Sequence, residues 1–234
     1  YNPQLVQYVP GELIFGPQSG NFTYRDDGFI RSVASGTETR DFIAEVTFIN
    51  PYPTSEAVWD AGFLFRETAT DEQLRLTIDS EQNYELSNWQ TGENVTDIES
   101  GKVFGLNLED GDANHLMLVV VDNTGMLFIN GSLVITLNVS SRTESGDVSF
   151  GTSLVQGNLS EGEIMRYRDF AVWAIQENAC VLTPTQSQTR LRLEPNTESE
   201  IAATVVLGDE VLATGVTQGD DGFNWFQAAG NVWI

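Results

Sequence analysis

The stretch from Asn114 to Leu137 constrains the fold more than any other part of the chain. Asn114-His115-Leu116-Met117-Leu118-Val119-Val120-Val121-Asp122 and Met126-Leu127-Phe128-Ile129 are apolar runs joined by Asn123-Thr124-Gly125. Asn130-Gly131 then leads into a third run, Leu133 to Leu137. Asn-Gly between two β-rich runs is a strong hairpin signal, because both residues tolerate positive φ. Branching at Cβ suits Val and Ile to a pleated surface. The three runs therefore predict an antiparallel meander on which the rest of the first 178 residues packs.

The flanking sequence keeps the same period of two. In Asp41 to Asn50, Phe42, Ala44, Val46 and Phe48 share one face, and Pro51 and Pro53 end the strand. In Val58 to Glu67, Trp59, Ala61, Phe63 and Phe65 face inward, which turns Leu64 and Arg66 outward. Gln73 to Asp79, Asn83 to Gln90, a weaker Val103 to Leu108, Asp147 to Gly151 and a long Glu163 to Ile175 read as further strands. Met165, Tyr167, Asp169, Ala171 and Trp173 of the last share a face. Asn21 to Tyr24 and Phe29 to Val33 flank the hairpin-like Arg25-Asp26-Asp27-Gly28. Residues 1–20, rich in proline and glycine, read as an extended lead-in or edge strand. No window shows the 3.6-residue spacing of a helix, and this many short strands predict an all-β sandwich or barrel.

The pattern restarts near Cys180 beyond a polar run at Thr183 to Gln188, and five short strands follow as a small barrel. The expected domains are residues 1–178 and 180–234. Val232-Trp233-Ile234 reads as mid-strand, so the chain is expected to continue. Cys180 alone allows no internal disulfide and is expected to be a small buried hydrophobe.

Thirty-four acidic residues against eleven basic ones give a net charge of −23, and Lys102 is the only lysine. That balance excludes nucleic acid and anionic membrane surfaces as partners. No apolar run is long enough to span a bilayer. His115 is the single histidine and Cys180 the single cysteine, which leaves a His-based zinc site short of ligands, and no Ser-His-Asp triad is expected around His115. The acids gather in turns, such as Glu109-Asp110-Gly111-Asp112. No strand carries three carboxylates in alternation, a row that would set the acid and nucleophile of a glycosidase on one face. The sequence requires no cofactor, and a divalent ion such as calcium would have Asp110 and Asp112 as its candidate ligands.

Alternation also sets the candidate binding surface. With Phe63 and Phe65 inward, Arg66, Arg75, Glu85 and Trp89 point outward from neighbouring strands. A tryptophan among arginine, glutamate and serine can stack a sugar ring and hold its hydroxyls.

Asn114 to Asp122 with Leu127-Phe128-Ile129-Asn130-Gly131, Trp59 to Arg66, and Arg168-Asp169-Phe170-Ala171-Val172-Trp173 carry a resemblance to the concanavalin A-like lectin/glucanase family, which includes laminin-G-like domains. The resemblance covers residues 12–176 and implies an antiparallel jelly-roll β-sandwich, with rim-loop calcium in some members. Leu191-Arg192-Leu193-Glu194-Pro195-Asn196-Thr197, Val205 to Val211, Phe223-Asn224-Trp225-Phe226 and Val232-Trp233-Ile234 resemble the bacterial SH3 domain, although Glu194 stands where that family has glycine. This implies an SH3-like barrel that binds cell-wall peptides or acts as a spacer. Together they imply a non-enzymatic, extracytoplasmic module of a bacterial cell-surface protein that recognises carbohydrate or cell-wall glycan. A peripheral subunit of an envelope assembly, holding protein partners, and a glycan hydrolase remain the alternatives.

Overall fold

The computed structural model describes residues 12–25, 27–69, 72–90, 95–154, 161–175, 180–182, 184, 186, 188–207, 209, 211–219, 222–228 and 232–234. Two compact units divide the chain: Leu13–Ala174 form one, and Ile175–Ile234 fall in the other.

The first unit is built from β1 (Glu12–Thr23), β2 (Arg31–Ala34), β3 (Phe42–Ile49), β4 (Asp60–Ala69), β5 (Glu72–Asp79) and β6 (Asn83–Trp89). β7 (Thr96–Lys102), β8 (Ala113–Val121), β9 (Thr124–Ile129), β10 (Ser132–Asn138), β11 (Asp147–Thr152) and β12 (Ile164–Ala174) complete it. They form two six-stranded sheets, β1-β12-β3-β8-β9-β10 and β2-β11-β4-β5-β6-β7. All pairings are antiparallel, so the unit is an all-β sandwich. The meander is β8-β9-β10, with Leu118 opposite Leu127, and β3 pairs β8 along its length from Phe42–Val120 to Ile49–Ala113. Among the described residues no helix is long and apolar enough to cross a membrane.

Inward residues of both sheets meet in one aromatic layer. Phe150 of β11 is fully buried, with ring centroids 5.9 Å from Phe22, 6.4 Å from Phe48, 6.0 Å from Phe63, 5.8 Å from Tyr167 and 6.2 Å from Phe170. These rings come from four other strands, drawn from both sheets, so Phe150 joins the two sheets.

Residues 12–20 are part of β1, an edge strand, one of the two forms expected of the first twenty residues. Three sequence expectations need correction. Arg25 to Gly28 is no hairpin turn, because β1 and β2 lie in different sheets; Asp26 itself is outside the described residues. Val103 to Leu108 is irregular: Val103 and Leu106 are buried, but the backbone is held by asparagine side chains rather than a ladder. The strand there is β7, hidden from a periodicity reading because Ile98 is its only large apolar residue. In β12 the alternation breaks at Asp169 (φ +60°), where the register shifts between Arg168 and Ala171. Met165 and Tyr167 therefore share the core with Phe170 and Val172 rather than with Ala171 and Trp173.

In the second unit, β13 (Cys180–Leu182), β14 (Thr189–Arg192), β15 (Ile201–Val205), β16 (Val211–Gln218), β17 (Asn224–Ala228) and β18 (Val232–Trp233) form one sheet. Its order is β13-β16-β17-β18-β14-β15. Leu191, Val205, Val211, Ala228 and Val232 make its small core. The Cys180 side chain lies outside what is described.

Emptying the centre of the aromatic layer leaves a cavity that rigid strands cannot close. Phe150→Ala should cost the sandwich about 3–5 kcal/mol, read as a lowered urea midpoint with an unchanged slope.

Candidate outer-face site

The outer face of the second sheet is read directly from its registers. Gln73 lies opposite Trp89, Arg75 opposite Ser87 and Thr77 opposite Glu85. Ser87 in turn faces Asp97, and Glu85 faces Ser100. Arg75, Glu85 and Trp89 thus lie on one face of β5 and β6, and of the three Arg75 and Trp89 are in contact. Their roles differ, however. The Arg75 guanidinium carbon sits 3.4 Å from the centre of the Trp89 ring, yet Arg75 is only 5% exposed. It is stacked beneath the indole, not presented beside it. Trp89 Nε1 donates to Ser87 Oγ at 3.1 Å. One bond to the indole N–H and one cation against the ring hold the half-buried side chain in place.

Neighbouring residues bound this platform. Arg142, from the β10–β11 connection, donates to Trp89 O at 3.3 Å and Thr68 Oγ1 at 3.2 Å, which fixes the end of β6. Toward the sheet centre, Gly62 and Gly151 lie side by side on the outer face. A Cβ on Gly62 would come within 2.8 Å of Leu154 Cδ1 and 2.1 Å of Leu76 O. Leu154 thus takes the space above Gly62, and its N–H donates to the buried Asp60 carboxylate at 3.2 Å. On the β5-β6-β7 half of the face Gln73, Arg75 and Ser87 are buried, while Glu85 is exposed. Arg142 could not be found by periodicity, since it acts from a loop far along the chain.

Arg66 does not belong to this face, contrary to the outward placement that alternation gave it. Its φ of +52° breaks the strand's alternation and turns the side chain inward, where it is fully buried. The guanidinium donates to the carbonyls of Arg40 and Val139 at 3.2 Å each, and to those of Arg142 and Asp122. Burial pulls its pKa down, and Asp41, 3.6 Å from Nη2, opposes that pull. Arg66 is a pin that gathers several loops at one end of the sandwich.

Asparagines tie down another set of loops. Asn114, fully buried at the start of β8, donates to Asn50 Oδ1 and Asn107 O at 2.9 Å each. Its Oδ1 accepts from Asn107 N at 2.8 Å and Asn130 Nδ2 at 3.1 Å. Asp110 and Asp112, the candidate metal ligands, lie in the turn these bonds position. Their turn is closed by backbone bonds, Asn50 N–H to Asp112 O at 2.9 Å among them. Among the described residues no three His, Cys, Asp or Glu side chains gather as metal ligands. His115 follows on β8, with Nε2 3.5 Å from Glu45 Oε2 on the first sheet.

No protein-family model and no curated protein sequence matches the chain. Among solved structures it is similar to the carbohydrate binding module CBM66 from Bacillus subtilis, with 12% identity and a TM-score of 0.49 over 71% of this chain and 97% of that one. A fructosyltransferase from A. japonicus is similar over 73% of this chain but only 27% of its own, with 13% identity and a TM-score of 0.46. A tetrameric galectin from the ball sponge Cinachyrella sp. matches over 62% of this chain and 98% of its own, with 12% identity and a TM-score of 0.44.

Burial, and then the neighbouring Asp97, raise the Glu85 pKa. A raised carboxylate pKa in the folded state opposes folding once the group ionises. The penalty is absent below the unfolded carboxylate's pKa and grows as pH rises through the folded value. Glu85→Gln should therefore raise the melting temperature at neutral pH and lose that advantage in acid, as followed by thermal unfolding across a pH series.

Proposed function

We propose that the sandwich is a carbohydrate-binding module whose ligand stacks on Trp89. The observation that carries this reading is the Arg75–Trp89–Ser87 arrangement, with the guanidinium 3.4 Å under the ring and the indole N–H bonded at 3.1 Å. A ring fixed in this way needs no ordering when a flat ligand arrives, and the saved entropy goes into affinity. The apolar face of a sugar fits such a surface, and Glu85, Asp97, Thr77 and Ser100 around it offer acceptors and donors for hydroxyls. The surplus of acid disfavours anionic glycans and favours neutral ones.

Arg75 acts through the ring instead of touching ligand. The resemblance of the tail to bacterial SH3 domains, together with the acidity, supports a place outside the cytoplasm on a bacterial surface.

The test is a glycan array covering neutral, acidic and cell-wall oligosaccharides, followed by titration calorimetry on any hit. Trp89→Ala should weaken binding at least about tenfold, equivalent to about 1.4 kcal/mol, without lowering the melting temperature appreciably. An intact protein that binds no glycan, or a variant that binds as well as the parent, would sink the proposal.

A further inference from the structure

Sheet edges carry unpaired backbone groups and invite further strands, so folded proteins blunt them. The sheet edges among the described residues show recognised devices. β1 contains Pro17; β2 has only 4 residues and β13 only 3. β7 carries Asp97, Glu99 and Lys102. β10 is bulged at Val134, and its Asn138 N–H is taken by Glu99 Oε1 at 3.1 Å.

The devices of β15 lie at its two ends: a bulge at Ala202 and, beyond Val205, the Val206 N–H donated to Asp209 Oδ2 at 2.7 Å. Ile201-Ala202-Ala203-Thr204-Val205 and the following Val206-Leu207 contain no charge, proline or glycine. Ile201 is 44% exposed, Val206 50% and Leu207 66%, and Ala202 and Thr204 are exposed as well. A bulge at Ala202 leaves Ala203, Thr204 and Val205 in regular register with Leu191, Arg190 and Thr189 of β14. On the other side of β15 no strand is paired among the described residues. Leu193, 49% exposed, joins the apolar patch at the hairpin end, where its N–H donates to Glu200 O at 3.0 Å.

Charge identifies the kind of partner. Residues 175–234 hold eight acidic and two basic residues, and the exposed Glu198 and Glu200 lead into β15. A second copy would bring another net charge of −23 to this edge. We propose that β15 receives, by strand addition, an extended peptide segment with β-branched residues flanked by lysine or arginine. Backbone bonds would supply the attachment, while the patch and the glutamates select the sequence.

The probe is a short synthetic strand of alternating valine and threonine between lysine pairs, added to the full chain. It should slow hydrogen exchange of the amides at 201–205 about tenfold at saturation, and salt should weaken it. A glutamate-flanked version and a version N-methylated on alternate residues should not bind. Thr204→Lys, which adds an edge lysine at an exposed position, should abolish binding with the melting temperature kept. Unchanged exchange with the lysine strand, or equal binding of the glutamate strand, would overturn the proposal. So would a dimer in sedimentation equilibrium that Thr204→Lys dissociates, which would make a second copy the occupant. The N-methylated strand tests the edge even where the variant misfolds.

Discussion

Everything else in the sandwich depends on the two sheets sharing one aromatic layer. Phe150 is the ring through which they share it: its neighbours come from both sheets, and its own strand pairs with β2 on one side and β4 on the other. Once the inner faces are fixed in this way, the outer faces follow without further choice. A strand that puts Phe63 and Leu76 inward must put Gly62, Arg75 and Thr77 outward. The candidate binding platform is thus the reverse side of the core.

Hydrophobic packing cannot close the ends of such a sandwich, because loops arrive there with unpaired carbonyls. The chain solves this with amide and guanidinium groups. Arg66 takes carbonyls from several segments, and Asn114 links Asn50, Asn107 and Asn130. Each group is costly to bury alone and favourable once its donors and acceptors are matched. These two clusters explain why residues that read as surface polar positions, or as a family signature, are structural.

The strands that alternate cleanly were legible in the sequence: β3, β5 and the β8-β9-β10 meander fall where the pattern places them. The outward set on β5 and β6 was legible for the same reason. Two residues with positive φ, Arg66 and Asp169, flip the alternation, and a two-residue period carries no sign of such a flip. Val103 and Leu106 are apolar and buried like strand residues, yet the neighbouring backbone at Gly105 and Asn107 is bonded to asparagine side chains. That Arg75 lies under Trp89 rather than beside it is a matter of side-chain conformation, which spacing does not encode. The pin formed by Arg142 joins positions remote in the chain, and no local pattern records it.

The turn that nucleates the meander has a chemical consequence of its own. An Asn-Gly pair is ordinarily where a chain ages first, because the glycine nitrogen can attack the side-chain amide and form a succinimide. Here Asn130 Nδ2 is bonded to Gly105 O at 2.7 Å and its Oδ1 accepts from His115 N at 2.9 Å. Held from both sides, the amide cannot swing toward Gly131. The bonds that shape the loops thereby shield the chain's one Asn-Gly sequence from deamidation.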